Sequence, residues 1–166
     1  MQYRFTNSLP YLLNRADVRI GDLFSQRLAE YDLTLPMYRA MAVLRQEGPQ
    51  RLSDLSAMIT VEISTVSRLV TTLKRRGLLS RERLEDNGRT VRIDLTEAGR
   101  QLVEELMPIA ADFEAIGTGT FSDSEIAWLK KALRQIYGNF AHMEKSSRVQ
   151  SGVGDFVDVE GSDNQL

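Results

Sequence analysis

Apolar side chains recur at three- and four-residue steps near the start of the chain, which predicts one long amphipathic helix. Asn7 or Ser8 can cap this helix, and Pro10 suits its first turn. The apolar stripe consists of Leu9, Leu12, Leu13, Ala16, Ile20, Leu23, Phe24, Leu28 and Tyr31. This stripe is too long for a single short neighbouring element to cover.

A second long stripe predicts the last helix of the chain. Ser122–Glu125 has the spacing of a capping box, and Phe121 and Ile126 are placed to form a hydrophobic staple. The stripe consists of Ile126, Leu129, Leu133, Ile136, Tyr137, Phe140 and Met143. Like the first stripe, it exceeds what a short neighbour can bury.

One further helix should precede the last one. Thr96 can cap it, and its pattern runs to about Ile116. Pro108 lies inside this helix and should kink or interrupt it, since proline lacks the backbone N–H and its ring clashes with the preceding turn. The Gly- and Thr-rich linker 117–120 follows.

The middle of the chain predicts three shorter helices, over about 34–46, 52–59 and 63–76. Gly48 ends the first of these and Gly77 ends the last. The tight turn between the second and third makes a helix-turn-helix pattern.

The apolar period then changes from 3.6 to 2, which predicts two strands, over 79–84 and 91–95. Asn87-Gly88 between them is a strong hairpin signal, because both residues tolerate positive φ. The predicted fold class is therefore mainly α with a small β-hairpin wing, a winged helix-turn-helix.

Positive charge is concentrated in this middle segment. The whole chain carries −2, but residues 51–92 hold nine Lys or Arg against five Asp or Glu. Residues 146–166 hold one Arg against four acidic residues and are rich in Ser, Gly and Asp, which predicts a disordered acidic tail. Local charge decides binding, because surface charges beyond a Debye length are largely screened.

The fourth predicted helix has two unlike faces. Val66, Leu69, Val70 and Leu73 fall on one side, and small hydroxyl side chains and arginines fall on the other. Short hydroxyl groups let a helix approach base edges in the major groove, and arginines reach guanine or phosphate. The candidate DNA-binding residues of this helix are Ser64, Thr65, Ser67, Arg68, Thr71 and Arg75. Taken alone, the same face is also compatible with a solvated helix surface.

The hairpin adds two candidate DNA-binding residues, Arg83 and Arg89. An arginine at a hairpin tip can enter the adjacent minor groove, where narrow A·T tracts attract it. An ordinary hairpin with solvated arginines is the alternative. The adjacency of helix-turn-helix and basic hairpin favours binding to double-stranded DNA.

Composition excludes several classes of function. The chain has no Cys and one His, which excludes thiol chemistry and argues against multi-His metal sites. It has no Gly-rich phosphate loop and no nucleophile–base pair, and the adjacent Glu104 and Glu105 are expected to be solvated, so we expect neither an enzyme nor a cofactor. With no apolar run of about 20 residues and no signal-peptide pattern, a cytoplasmic protein is expected.

Four stretches of the chain together resemble the MarR family of winged helix-turn-helix transcriptional regulators. They are Leu52–Ile59, Ser64–Val70, Leu73–Leu79 and Arg89–Gly99, and the last contains the specific pattern Leu-Thr-Glu-x-Gly after a basic wing. The resemblance extends from about residue 9 to residue 143.

The resemblance implies a homodimer that binds a pseudo-palindromic operator. Residues 7–33 and 97–145 would be dimerisation helices, residues 34–96 the winged DNA-binding domain, and residues 146–166 the acidic tail. It also implies a repressor that a small-molecule effector releases. A ligand-independent activator and a winged-helix protein-interaction module are the alternatives.

Two residues depart from the family pattern. The family usually has Asp where Asn87 stands, so the brace of Arg89 is weakened, although Asp86 lies beside it. Glu62 stands where the family offers a Ser cap, and we interpret it as the helix cap rather than as a cytosine contact.

The effector candidates lie on the first, second and fifth predicted helices. A cation beside aromatic rings suits an aromatic carboxylate or its CoA thioester. The candidates are Arg15, Arg19, Phe24, Tyr38, Met41 and Phe113. The alternative is that the aromatic residues and Met41 are core and the arginines solvated.

Overall fold

The computed structural model describes residues 3–83 and 91–151, with the side chains described for 3–82 and 91–140. It divides into two compact units, residues 1–117 and residues 118–166. The helices and strands, in chain order, are α1 (Leu9–Leu28), α2 (Leu35–Glu47), β1 (Gln50–Arg51), α3 (Leu52–Ile59), α4 (Ile63–Arg75), β2 (Leu79–Arg83), β3 (Val91–Leu95), α5 (Glu97–Thr118) and α6 (Asp123–Ser151). The mainly α winged-helix class is confirmed.

Helix α1 begins where the sequence predicts, with Ser8 at the N-cap position and Pro10 in the first turn. The Ser8 hydroxyl is nevertheless buried without a hydrogen-bond partner, so it does not cap the helix. After α1 the chain makes the 3-10 turn Ala29–Tyr31, and Asp32 takes left-handed backbone angles with φ of 53°. This bend returns Leu33 to the core, and its N–H donates to the carbonyl of Leu28 at 3.1 Å.

Only the second half of the α1 stripe contributes to the core of the first unit. Phe24 and Leu28 are buried, whereas Leu12 and Ile20 remain 45% and 50% exposed. The core also takes side chains from the other helices of this unit and from β2 and β3, chiefly Met41, Leu44, Leu55, Val66, Val70, Leu73, Leu79, Ile93, Val103 and Leu106. The first half of the stripe therefore lacks cover within its own unit.

The sheet has three antiparallel strands in the order β1-β3-β2. The register of the hairpin pairs Leu79 with Leu95 and Arg83 with Val91. The sequence analysis missed β1, whose two residues pair with Ile93 and Arg92. A strand of two residues carries no readable alternation of apolar and polar positions. The predicted hairpin tip, including Asn87-Gly88, lies outside the described residues.

Helix α5 begins with the predicted cap. The Gly99 N–H donates to the Thr96 hydroxyl oxygen at 3.1 Å, and the hydroxyl itself donates to the Gly77 carbonyl at 2.6 Å. The predicted interruption at Pro108 is wrong, because the helix continues through it to Thr118 and shortens the linker. Pro108 is exposed, so water can satisfy the carbonyl that loses its partner.

Two carboxylates of α5 contact earlier segments of the first unit, one on α2 and one in the connection between α1 and α2. Arg45 donates to Glu104 from Nε at 2.9 Å and from Nη2 at 2.8 Å, and the Tyr31 hydroxyl donates to Glu105 at 3.1 Å. Both carboxylates remain exposed, as the sequence analysis expects, and each also accepts a hydrogen bond from a side chain earlier in the chain. The bond to Glu105 also raises the pKa of Tyr31.

In the second unit, the predicted capping box of α6 is confirmed. The Ser122 N–H donates to the Glu125 carboxylate at 2.8 Å, and this bond holds the pKa of Glu125 below its ordinary value. Helix α6 continues to Ser151, past the predicted boundary at residue 146, and residues 152–166 lie outside the described residues. No helix in the described part of the chain is long and apolar enough to cross a membrane.

Candidate nucleic-acid interface

Helix α4 is amphipathic in the way that the sequence predicts. Val66, Leu69, Val70 and Leu73 are buried in the core. The residues of the opposite face are exposed or, for Ser67, half-buried, and they are Ser64, Thr65, Ser67, Arg68, Thr71 and Arg75. The six candidate side chains of this helix therefore lie along one accessible surface.

The hydroxyl hydrogen of Thr71 has a partner within the helix. It donates to the Ser67 carbonyl at 2.8 Å. The oxygen of Thr71 is left as an acceptor, so this side chain is suited to accept from a base amino group rather than to donate to a phosphate.

The turn before α4 is fixed by local hydrogen bonds. Thr60 takes left-handed angles with φ of 57°, and the Ser56 hydroxyl donates to the Val61 carbonyl at 2.6 Å. The Val61 N–H in turn donates to the Ser56 carbonyl at 3.2 Å. The sequence predicts this turn but does not single out Ser56, because nothing in the pattern of a short helix shows that a serine inside it will bond to the turn that follows.

The first residues of α4 differ from expectation in two ways. Glu62 occupies the N-cap position, but its carboxylate makes no capping hydrogen bond. Ile63 follows as the first helical residue and is 48% exposed. The sequence analysis missed Ile63, since its place in the apolar period suggests a core position.

The C-terminal end of α4 carries three consecutive basic residues with unequal surroundings. Arg76 donates from Nη1 to the Asp32 carbonyl at 2.6 Å and from Nη2 to the Tyr31 carbonyl at 2.9 Å. Lys74 and Arg75 are exposed and have no hydrogen bond or ion pair with the described part of the chain. Arg76 was not among the sequence candidates.

The wing is described only where its strands pair. Arg81 and Arg92 are exposed on β2 and β3. The backbone of Arg83 pairs with Val91 at the end of the ladder, and its side chain is not described. Arg89 lies outside the described residues.

The effector candidates divide into two groups. Phe24 packs edge-on against Tyr38 with ring centroids 4.9 Å apart and against Phe113 at 5.3 Å, and Met41 is fully buried. Arg15 and Arg19 lie instead along a shallow groove of about 380 Å³ on α1, with Asn14, Val18 and Asp22. The Arg15 guanidinium carbon lies 5.8 Å from the ring centroid of Tyr11.

A second groove, of about 280 Å³, runs between α2 and α3. Tyr38 is the one effector candidate that lines this groove, and burial raises the pKa of its hydroxyl above the ordinary value. The lining is mostly apolar and consists of Tyr38, Arg39, Ala42, Val43, Gln46, Met58, Ile59 and Thr60. Sequence reasoning missed all of these except Tyr38, because a groove between two helices depends on their packing.

Comparison with known proteins agrees with this geometry. The model of the MarR family matches residues 33–91, the segment from the end of the α1–α2 connection through α4 and the wing. Over this segment the chain is similar to the MarR family. The matched segment includes every candidate DNA-binding residue.

Several relatives extend the match beyond that segment. The transcriptional repressor NicR of Pseudomonas putida is 26% identical over 81% of this chain and 85% of its own length. A MarR-family regulator from Silicibacter pomeroyi is 28% identical, with a TM-score of 0.76, over 81% of this chain and 90% of that one. BpsR of Bordetella bronchiseptica, whose DNA binding is regulated by 6-hydroxynicotinic acid, is 28% identical, with a TM-score of 0.74, over 82% of this chain and 98% of that one.

Proposed function

We propose that this chain is a homodimeric MarR-family regulator that binds a two-fold symmetric DNA site, represses transcription there and is released by a small aromatic acid. The observation that carries the proposal is the outward face of α4, where short hydroxyl side chains and two arginines lie opposite four buried apolar side chains. A helix of this form fits the major groove, where short side chains permit close approach.

The residues of α4 divide between two tasks in this proposal. Ser64, Thr65 and Ser67 lie in the N-terminal half, which approaches base edges in helix-turn-helix docking. Arg68 reads a guanine edge in bidentate fashion, whereas Arg75, near the helix end, contacts a phosphate. Thr71 lies between them and accepts a hydrogen bond.

The wing supplies a second contact. Arg89 enters the adjacent minor groove, and Arg83 supports it from the end of β2 by contacting the phosphate backbone. The described stems of the hairpin support this role, because Arg81 and Arg92 are also exposed there and add positive charge on both strands.

Dimerisation covers the apolar side chains that each unit leaves exposed. In the first unit these are chiefly Leu9, Leu12, Val18 and Ile20 of α1, and in the second Trp128, Tyr137 and Phe140 of α6. Rows of large apolar residues on long helices mark interfaces rather than free surface. Residues 7–33 and 97–145 then form the dimer, and the two copies of α4 meet half-sites about one helical turn apart.

The effector is an aromatic carboxylate or its CoA thioester. BpsR, a relative over most of this chain, responds to 6-hydroxynicotinic acid, an aromatic carboxylate. This chain offers two grooves to such a ligand, a mostly apolar one beside Tyr38 and one on α1 where Arg15 and Arg19 can pair with a carboxylate. Release requires only that the ligand prefers the arrangement of the dimer that does not bind DNA.

Transcription in vitro tests the proposal. A promoter overlapping a DNA site selected by the protein is transcribed with and without the regulator, and benzoate and 6-hydroxynicotinic acid are added as probes. We expect the protein to lower the transcript and a probe to restore it.

The double substitution Arg15→Ala and Arg19→Ala should preserve repression and weaken the response to the probe. Arg27→Ala, elsewhere on α1, should preserve both the repression and the response. A transcript that rises on protein binding would identify an activator instead. Repression that no aromatic acid relieves would contradict the effector class.

A further inference from the structure

We infer that Arg76 is a positioning residue, which fixes the recognition helix α4 against the α1–α2 connection and thereby sets the spacing of the two DNA half-sites. The inference rests on the proposed function for its consequence in DNA binding. Its basis is a pair of hydrogen bonds between the end of α4 and a segment more than 40 residues earlier in the chain.

The Arg76 guanidinium bridges two successive carbonyls. Its two terminal nitrogens donate to Asp32 and Tyr31 at 2.6 and 2.9 Å. These carbonyls end the 3-10 turn Ala29–Tyr31 and the left-handed Asp32 that follows it. Carbonyls at a helix end have no partner within the helix and carry partial negative charge, so a cation with two parallel donors satisfies both.

The segment that Arg76 contacts is held on either side by the core. Leu28 and Leu33 flank it and are buried. At the other end of the contact, Gly77 takes a φ of 72° and Leu78 donates to the Leu73 carbonyl at 3.0 Å, which closes α4. Arg76 therefore connects the turn that follows α1 to the end of α4, and both segments are flanked by buried leucines.

This geometry requires arginine rather than any cation. The guanidinium is planar and offers parallel donors, whereas a lysine ammonium is a point charge on a flexible stem. Arg75, the preceding residue, has no such contact with the described residues. The two neighbouring arginines thus have different tasks: Arg75 is available to DNA, and Arg76 is engaged within the chain.

The link matters because α1 belongs to the proposed dimer and α4 to the proposed DNA contact. A small rotation of α4 relative to α1 is doubled across the two-fold axis and changes the distance between the recognition helices. Arg76 restrains this rotation without touching DNA.

The test compares Arg76→Ala, Arg76→Lys and Arg75→Ala with the wild type. Affinity is measured on the selected inverted repeat and on versions with the spacer lengthened or shortened by one base pair, at several salt concentrations. We expect Arg76→Ala and Arg76→Lys to reduce the discrimination between spacers several-fold while the salt dependence stays that of the wild type. Arg75→Ala should weaken all three duplexes alike and reduce the slope of log affinity against log salt by about 1.8, since the dimer loses two phosphate contacts worth about 0.9 each.

Three results would overturn the inference. They are wild-type spacer discrimination in Arg76→Ala, full rescue by Arg76→Lys, and a reduced salt slope in Arg76→Ala, which would show a phosphate contact. Amide hydrogen exchange provides a readout that needs no DNA. Arg76→Ala should speed exchange at Leu33 and Leu78, and Arg75→Ala should not. If the wild type binds no inverted repeat, the proposed function fails, and the exchange rates still decide whether Arg76 links the two segments.

Discussion

Arg68 is the residue on which the proposed base recognition depends most. It lies on the exposed face of α4, one turn after Ser64, and makes no hydrogen bond or ion pair with the described part of the chain. A side chain that is free within the chain and central on an outward helix face has a geometry suited to a base edge.

Arg68→Ala should cost about 1–3 kcal/mol of binding free energy for each half-site and relax the base preference at one position of each half-site. The measurement is equilibrium binding to a panel of duplexes with single base changes. Arg27→Ala is the control, because that arginine forms an exposed ion pair with Glu30 and such pairs contribute little. A uniform loss across the panel would show that Arg68 contacts phosphate.

Gly99 shows a second residue-scale constraint, at the point where α5 meets the sheet. A Cβ atom at this position would collide with the Leu78 carbonyl oxygen and approach Leu95 Cδ2 to 3.1 Å. The glycine permits α5 to start directly against the segment that leads into β2. The Thr96 hydroxyl joins this segment to α5, because it donates to the Gly77 carbonyl and accepts from the Gly99 N–H.

Gly99→Ala should therefore destabilise the protein by about 1–3 kcal/mol, the usual cost of overpacking. Gly117→Ala is the matched control, since nothing lies within 4 Å of its Cβ and it also lies in α5. Alanine there should be neutral or stabilising by up to about 1 kcal/mol. Urea unfolding of the two variants measures the difference, and equal effects would contradict the packing account.

At the scale of elements, the sequence predicted the helices and strands that have a clear period and clear boundaries. Helices α3 and α4 lie within a residue of their predicted ends, because Gly77 and the Thr60 turn interrupt the period there. The two-residue β1 was missed because it forms only by pairing with β3. The interruption predicted at Pro108 was wrong because an exposed proline can remain in a helix that packing stabilises on its other side.

The sites were predictable to different degrees for the same reason. The outward face of α4 follows from the helical period alone, and the structure leaves it accessible. The groove beside Tyr38 and the contact of Arg76 depend on how distant segments pack, so no local pattern in the sequence indicates them. Ile63 was missed because its place in the apolar period suggests a core position, whereas the structure leaves it 48% exposed at the start of α4.

At the scale of the whole molecule, the account depends on a partner chain covering the exposed apolar residues of α1 and α6. Leu12 is 45% exposed, and Trp128 and Phe140 are 68% and 64% exposed. A dimer also increases the DNA affinity available to a chain whose net charge is −2. The two copies present two basic winged domains, and the contact of each domain with its own half-site adds to the affinity of the dimer for DNA.

Leu12→Glu should convert the dimer to a monomer, because it places a charge where the proposed interface is apolar. Sedimentation equilibrium measures the change, from twice the 18.8 kDa chain mass to the chain mass itself. Gln26→Glu, an exposed polar position on the same helix, should remain dimeric. A wild-type protein that sediments as a monomer would contradict the dimer.

Selection of bound duplexes from a random pool at about 150 mM salt tests the central claim most directly, because specific contacts must then outweigh the salt-dependent attraction to any DNA. The account predicts that the purified protein enriches an inverted repeat, with half-sites about one helical turn apart, and that Arg68→Ala degrades one position in each half-site. Weak enrichment without sequence preference would contradict it and would assign the winged domain to a different partner.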